Sequence, residues 1–237
     1  MTKKRLLGLD VFRGWAILLM LVFHMAYDLN YFKYIHISLH QDIFWVYLRY
    51  CIVSIFLLSV GMSLALVHLP VIQWNKMYTR TLYLGIASIL VSIVTYIQFP
   101  HSWVYFGVLH FILLASWVGL FFLPYPLLTI LTAISIFIGS YFGILHMHTL
   151  FTFLQKPFHL PPAYTEDLVI FFPWFSIVLL GISLVQYKVY KPIFHLPFFS
   201  KNHRFNYYLS LMGRHSLLIY LLHQPILFGS MLLFFSI

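Results

Sequence analysis

Apolar runs recur along the chain at about residues 9–29, 43–68, 78–97, 103–123, 125–145, 168–186 and 213–235, each near or above the minimum length for one bilayer crossing. Pro124 and Pro126 in FFLPYPLL separate the fourth run from the fifth. Proline lacks the amide hydrogen that a helix interior needs and clashes with the preceding turn, so a tight turn is expected there. The pattern predicts an all-α fold: a polytopic transmembrane helix bundle of about seven spans. No repeat with a period of roughly 20 to 50 residues and no low-complexity segment breaks it, so one domain over residues 1–237 is expected.

The first run is not uniformly apolar. LGLDVFRGWAILLMLVFHMAYDL carries Asp10, Arg13, His24 and Asp28, and at about 100° per residue their steps bring all four into a stripe roughly 60° wide. Ionisable groups cost several kcal/mol each against lipid, so this stripe is expected to face the bundle interior and to mark a functional site.

Composition narrows the class. Of the 237 residues 62% are hydrophobic and only 8% charged, with a mean hydropathy of +0.92, which predicts a multi-pass protein of the cell membrane in contact with lipids. A net charge of +9 would suggest nucleic acid in a soluble chain. Here the cations stand between apolar spans, where they set topology, and no nucleic-acid partner is expected. With the N-terminus cytoplasmic, Lys3, Lys4, Arg5, Lys76, Arg80, Lys188, Lys191, Lys201, Arg204 and Arg214 fall inside, and only Lys33 and Lys156 lie in outer loops. An odd number of spans then puts the C-terminus outside. The single cysteine, Cys51, excludes an intrachain disulfide and a thiolate metal cluster; packing is its expected role.

The basic start MTKKR runs directly into a span that carries charges, and no small-residue cleavage site follows, so it is expected to be retained. The outer loop at 146–167, rich in proline and aromatic residues, is a candidate lid. The inner loop at 187–206 mixes cations with aromatics and is expected along the lipid headgroups. Gly61 between Ser59 and Ser63, and Gly14 beside Arg13, read as small-residue positions that let helices approach.

Histidine carries the candidate chemistry: the chain has 13, several of them inside spans. Asp28 follows His24 by one turn, the spacing at which a carboxylate holds one imidazole nitrogen and leaves the other as a general base. The alternative is a hydrogen-bonded pair that fixes helix packing. Arg13 lies about three turns before His24, roughly 16 Å by helix rise. It either pairs with Asp10 or, oriented by Asp10, binds an anionic group. GVLHFI places His110 in the fourth run, and GRHSLLIYLLHQP places Arg214, His215, Ser216, Tyr220, His223 and Gln224 on the last, where Ser216, Tyr220 and His223 share a face. No ligand spacing for zinc occurs on one helix, so no metal is expected.

Four segments together, RLLGLDVFRGWAILLMLVFHMAYDLNYF, FLLSVGMSLAL, GVLHFI and GRHSLLIYLLHQPI, resemble the catalytic membrane domain of the heparan-alpha-glucosaminide N-acetyltransferase family in a compact prokaryotic form. More distantly, the Asp-x-x-Arg-Gly start is similar to membrane acyltransferases that decorate surface polysaccharides. The resemblance implies transfer of an acetyl group from cytoplasmic acetyl-CoA to an amino sugar or other glycan acceptor on the far side. It implies that the inner cations Lys76, Arg80, Lys188, Lys191, Lys201, Arg204 and Arg214 neutralise the CoA phosphates, with Asp10, Arg13 and His110 lining the donor's path. His24, as general base or as acetyl carrier, would meet the thioester, with Asp28, His215 and His223 as further catalytic candidates. The family pattern has Asn at the place of His24 and an active histidine in the following loop, to which His36 and His40 are nearest; the terminal His223 matches the family's late histidine. Such a family is compatible with a homodimer. The rival from another class is a small proton-coupled transporter that uses the Asp/Arg/His stripe as a relay.

Overall fold

A computed structural model of the chain describes residues 6–39, 41–145, 153–155, 157, 160, 167–199 and 204–235. Among the described residues there is no strand. The helices are α1 (Leu7–Tyr31), α2 (Ile43–His68), α3 (Trp74–Gln98), α4 (Val108–Leu120), α5 (Pro126–Tyr141), α6 (Phe171–Gln186), α7 (Tyr190–Phe194), α8 (Arg204–Arg214) and α9 (Ser216–Phe235). α1, α2, α3 and α9 are long and apolar enough to cross a membrane; α4, α5 and α6 are apolar but shorter.

The expected run at 103–123 is trimmed at both ends. With 13 residues, α4 rises only about 20 Å against a hydrocarbon core of about 30 Å. Beyond Leu120 the amides of Phe121, Phe122 and Leu123 bond carbonyls three residues back, so the chain tightens and turns. Pro126 then opens α5 at its first position, where a missing amide hydrogen costs nothing. The proline-marked tight turn is therefore present.

The ends of α1 and α5 follow one device. After α1 the amide of Tyr34 bonds the Leu29 carbonyl and that of Lys33 bonds the Asn30 carbonyl, with Lys33 left-handed at φ 64°. The same closure follows α5, where Gly143 takes φ 70°. The described residues form two compact units, Met1–Ser59 with Tyr190–Ile237, and Val60–Val189, the boundary falling within α2.

In the first unit α8 lies antiparallel along the early half of α1. Gly14 meets the Leu209 carbonyl and Gly213 meets the Asp10 carbonyl, so a Cβ at either glycine would collide with backbone. Asn206, Leu209, Ser210 and Gly213 form the buried face of α8, and Val11, Phe199 and Leu209 pack among Phe12, Trp15 and Phe194. α9 then turns back beside α1: Ile219 and Tyr220 pack on the Ile17, Met20 and Ile52 cluster, and Phe228 lies 5.3 Å from Tyr31 by ring centroids.

This arrangement corrects the expected inner loop at 187–206. Residues 190–199 instead form α7 and a short 3₁₀ turn, and Arg204 already begins α8, a helix that no apolar run announces. Its 11 residues are too few to span a bilayer, and its buried face is small and polar rather than continuously apolar. Lys3, Lys4, Arg5, His40, Lys156 and Lys201, with most of the candidate lid at 146–167, lie outside the described residues.

In the second unit Gly61 sits against the Val178 carbonyl, and Gly119 against Leu64 and Ile182, so α2, α4 and α6 approach through small residues. The Gln186 amide donates to the Phe122 and Leu123 carbonyls, each at 2.9 Å, tying α6 to the turn between α4 and α5.

Candidate functional site

Within the first unit the polar stripe of α1 looks inward. Asp10 is 3% exposed and Asp28 is fully buried, while Arg13 and His24 are partly buried. The stripe separates into two groups along the helix.

The first group is ionic. Asp10 receives Arg214 Nε on Oδ2 at 3.3 Å, and Arg13 Nη1 lies 3.9 Å from Oδ1. Arg13 also donates from Nη1 to the Gly213 carbonyl at 3.3 Å and from Nε to Ser59 Oγ at 3.5 Å. The ion-pair reading of Arg13 and Asp10 is thus realised, with a third member that the sequence did not pair with them. One carboxylate stitches α1 to the end of α8, and Arg13 fastens both to α2. Of the two guanidinium groups, that of Arg214 is the more exposed, at 36% against 17%.

The second group gathers two helices that stand at opposite ends of the sequence. The rings of His24 and His223 meet edge to face with centroids 4.5 Å apart. His24 Nδ1 lies 2.9 Å from the Met20 carbonyl and His223 Nδ1 lies 2.6 Å from that of Tyr220. A carbonyl only accepts, so each ring carries its proton on Nδ1, and in the neutral form Nε2 holds the lone pair. That arrangement suits proton abstraction by a ring whose orientation is fixed by backbone.

Asp28 does not orient His24 as the one-turn spacing suggested. Helical side chains lean toward the N-terminus, and His24 leans back onto the Met20 carbonyl instead of forward onto Asp28. Asp28 Oδ1 instead accepts a 2.7 Å hydrogen bond from Gln224 Nε2 on α9. Gln224 stands one position off the face shared by Ser216, Tyr220 and His223, and the sequence by itself assigns it no role. The signal that marks it is Pro225, which follows it inside α9 and leaves the Leu221 carbonyl without its usual amide donor.

Other expected residues lie elsewhere. His215 is exposed at the start of α9, eight residues and about 12 Å of helix before His223. His36 is exposed in the segment after α1, and Arg204 is exposed at the start of α8. Lys76, Arg80 and His110 belong to the second unit. There His110 is engaged at the start of its own helix: Nδ1 accepts the Gly107 amide at 3.3 Å, so Nε2 carries the proton and donates to Ser92 Oγ at 3.2 Å. Both ring nitrogens are thus engaged by neighbours within the second unit. Lys76 is exposed, and Arg80 Nε donates to Ser116 Oγ at 3.1 Å. Both lie near the buried His68, which accepts the Gln73 amide on Nδ1 at 3.0 Å.

No curated relative and no solved structure matches the chain. The resemblance carried by the opening segment RLLGLDVFRGWAILLMLVFHMAYDLNYF, FLLSVGMSLAL, GVLHFI and the terminal GRHSLLIYLLHQPI is borne out by comparison with protein families. Residues 5–225 match the family described as heparan-alpha-glucosaminide N-acetyltransferase, catalytic, and with nearly its whole length covered the chain belongs to that family.

Proposed function

We propose that this protein is a transmembrane acetyltransferase with seven spans and a cytoplasmic N-terminus. It takes acetyl groups from cytoplasmic acetyl-CoA and delivers them to an amino sugar or other glycan acceptor on the outer side. The observation that carries the reading is the His24 and His223 pair: two imidazoles 4.5 Å apart, each with Nδ1 fixed on a backbone carbonyl. Membership of an acetyltransferase family supports the reaction type.

Acetyl-CoA supplies, when bound, an acetyl group activated as a thioester. The residues of the first unit suit such a donor. Cations gather at one end of α1, and the histidines stand about 16 Å further along it, a separation appropriate to a molecule charged at one end and reactive at the other. Arg214, with its partly exposed guanidinium, is the anion-facing group at that end, and Arg13 braces Asp10 beside it. In the second unit Lys76 and Arg80 form a separate basic turn around His68 that suits an anionic group by itself. At the other end of α1, His24 Nε2 acts as general base and withdraws the proton that the acceptor nitrogen or oxygen loses, while His223 lies against it.

The test uses full-length protein in detergent. Acetyl-CoA at a hundredfold excess over its dissociation constant is expected to stabilise the fold by about 2.7 kcal/mol through mass action. Labelled acetyl is expected to reach an amino-sugar acceptor. An unchanged melting temperature together with no labelled product would overturn the reading, and is what a proton-coupled transporter would give.

A further inference from the structure

Three buried polar atoms near the histidine pair have no hydrogen-bond partner among the described residues: Asp28 Oδ2, Gln224 Oε1 and His223 Nε2. Their chemistry is the same. The carboxylate oxygen and the amide oxygen accept hydrogen bonds, and Nε2 accepts because the proton of that ring sits on Nδ1 against the Tyr220 carbonyl. Gln224 cannot turn to relieve the shortage, since its amide nitrogen is held 2.7 Å from Asp28 Oδ1. Burial of even one such atom unpaired is costly, and natural proteins leave few.

The residues are joined to one another. Gln224 and His223 are consecutive, Gln224 is bonded to Asp28, and the His223 ring lies against His24, one turn before Asp28. Among the described residues the corner therefore lacks donors, and it holds a carboxylate that none of their cations pairs. A water molecule brings two hydrogens and no charge. A primary ammonium group brings three hydrogens, no competing lone pair and the complementary charge. A hydroxyl brings one hydrogen.

We infer that Asp28, Gln224 and His223 form a subsite for a protonated primary amine, the nitrogen of the acetyl acceptor, and that Asp28 and Gln224 decide for amines over hydroxyls. The inference rests on the reading that this pair of helices handles the acceptor. It adds residues that the histidine chemistry does not need: Asp28 and Gln224 act by holding the acceptor, and their loss acts on its binding. A site built to satisfy polar groups rejects ligands that leave them unpaired.

Binding is measured without acetyl-CoA, by calorimetry on the full-length protein, with glucosamine as the amine probe and glucose as its hydroxyl counterpart. Glucosamine is expected to bind at least tenfold more tightly than glucose. The isosteric Asp28→Asn is expected to abolish that preference, and Gln224→Met to weaken glucosamine binding severalfold. Equal binding of the two sugars by the unaltered protein overturns the inference and leaves the corner to trapped water. So does full glucosamine affinity in Asp28→Asn or, if that variant does not fold, in Gln224→Met. Asp28-dependent glucosamine binding without any acetyl transfer would uphold the subsite and sink the acetyltransferase reading. Transfer to an amine with affinity indifferent to both variants would do the reverse.

Discussion

His24 and His223 touch ring edge to ring face across a sequence separation that spans most of the chain, and neither uses its Nδ1 on the other. Each ring is anchored by a carbonyl of its own helix. The contact between them depends only on how α1 and α9 pack, so it reports directly on the state of the first unit.

Replacing His24 by Ala is expected to lower acetyl transfer by about 10² to 10⁴, the range for loss of a general base. Stabilisation by acetyl-CoA should persist. If His24→Ala retains full turnover while His36→Ala or His215→Ala loses it, the base is one of those exposed histidines.

Gly14 and Gly213 set the distance between α1 and α8. Ala at either position drives a methyl group into a backbone carbonyl, which cannot rotate away as a side chain would. Overpacking of this kind costs about 1 to 3 kcal/mol and sometimes more. Thermal unfolding should show the loss for each variant, and Gly85→Ala, where a Cβ meets open space, is the control.

Asp10 holds two arginines, so Asp10→Asn should cost about 1 to 3 kcal/mol: less than a fully buried pair, because Arg214 is more than a third exposed. Arg214→Gln alone should cost less. The double variant should be less destabilised than the sum of the two, and strict additivity in the cycle would show that the 3.3 Å contact contributes nothing.

Gly143 closes α5 in the left-handed region with open space around its Cα. Gly143→Ala therefore isolates backbone strain from packing and is expected to cost about 1 to 2 kcal/mol. Lys33 occupies the same kind of position after α1, so Lys33→Gly should be neutral or mildly stabilising. A stability loss in Lys33→Gly would mean that the lysine side chain matters there more than its φ.

His110 bonds Gly107 and Ser92, so its replacement should act on the fold rather than on the chemistry. His110→Leu is expected to cost about 1 to 3 kcal/mol by leaving a buried donor and acceptor unmatched. Turnover per folded molecule should stay within a few fold. A large fall in turnover at unchanged stability would return His110 to the donor path.

Much of the fold was legible. The run at 43–68 coincides with α2, and those at 9–29 and 78–97 fall within α1 and α3, because period and length are properties of consecutive residues. α8 was not legible, since its buried face is defined by what it packs against: Gly14 and Asp10 of α1. Nor was the reach of Asp10 to Arg214, although Asp10 and Arg13 already stood at pairing distance along the helix.

By itself the sequence determined that this chain is helical and apolar enough for membranes, that one helix carries an ionisable stripe, and that the first and last apolar runs bear histidines, since charge against hydropathy is decided residue by residue. Tertiary structure alone decided the partners. Asp28 accepts a hydrogen bond from Gln224 rather than holding His24, and the His24 ring meets the edge or face of the His223 ring, because a hydrogen bond and a ring contact both require a few ångströms and a direction, and those are fixed only when α9 lies down beside α1.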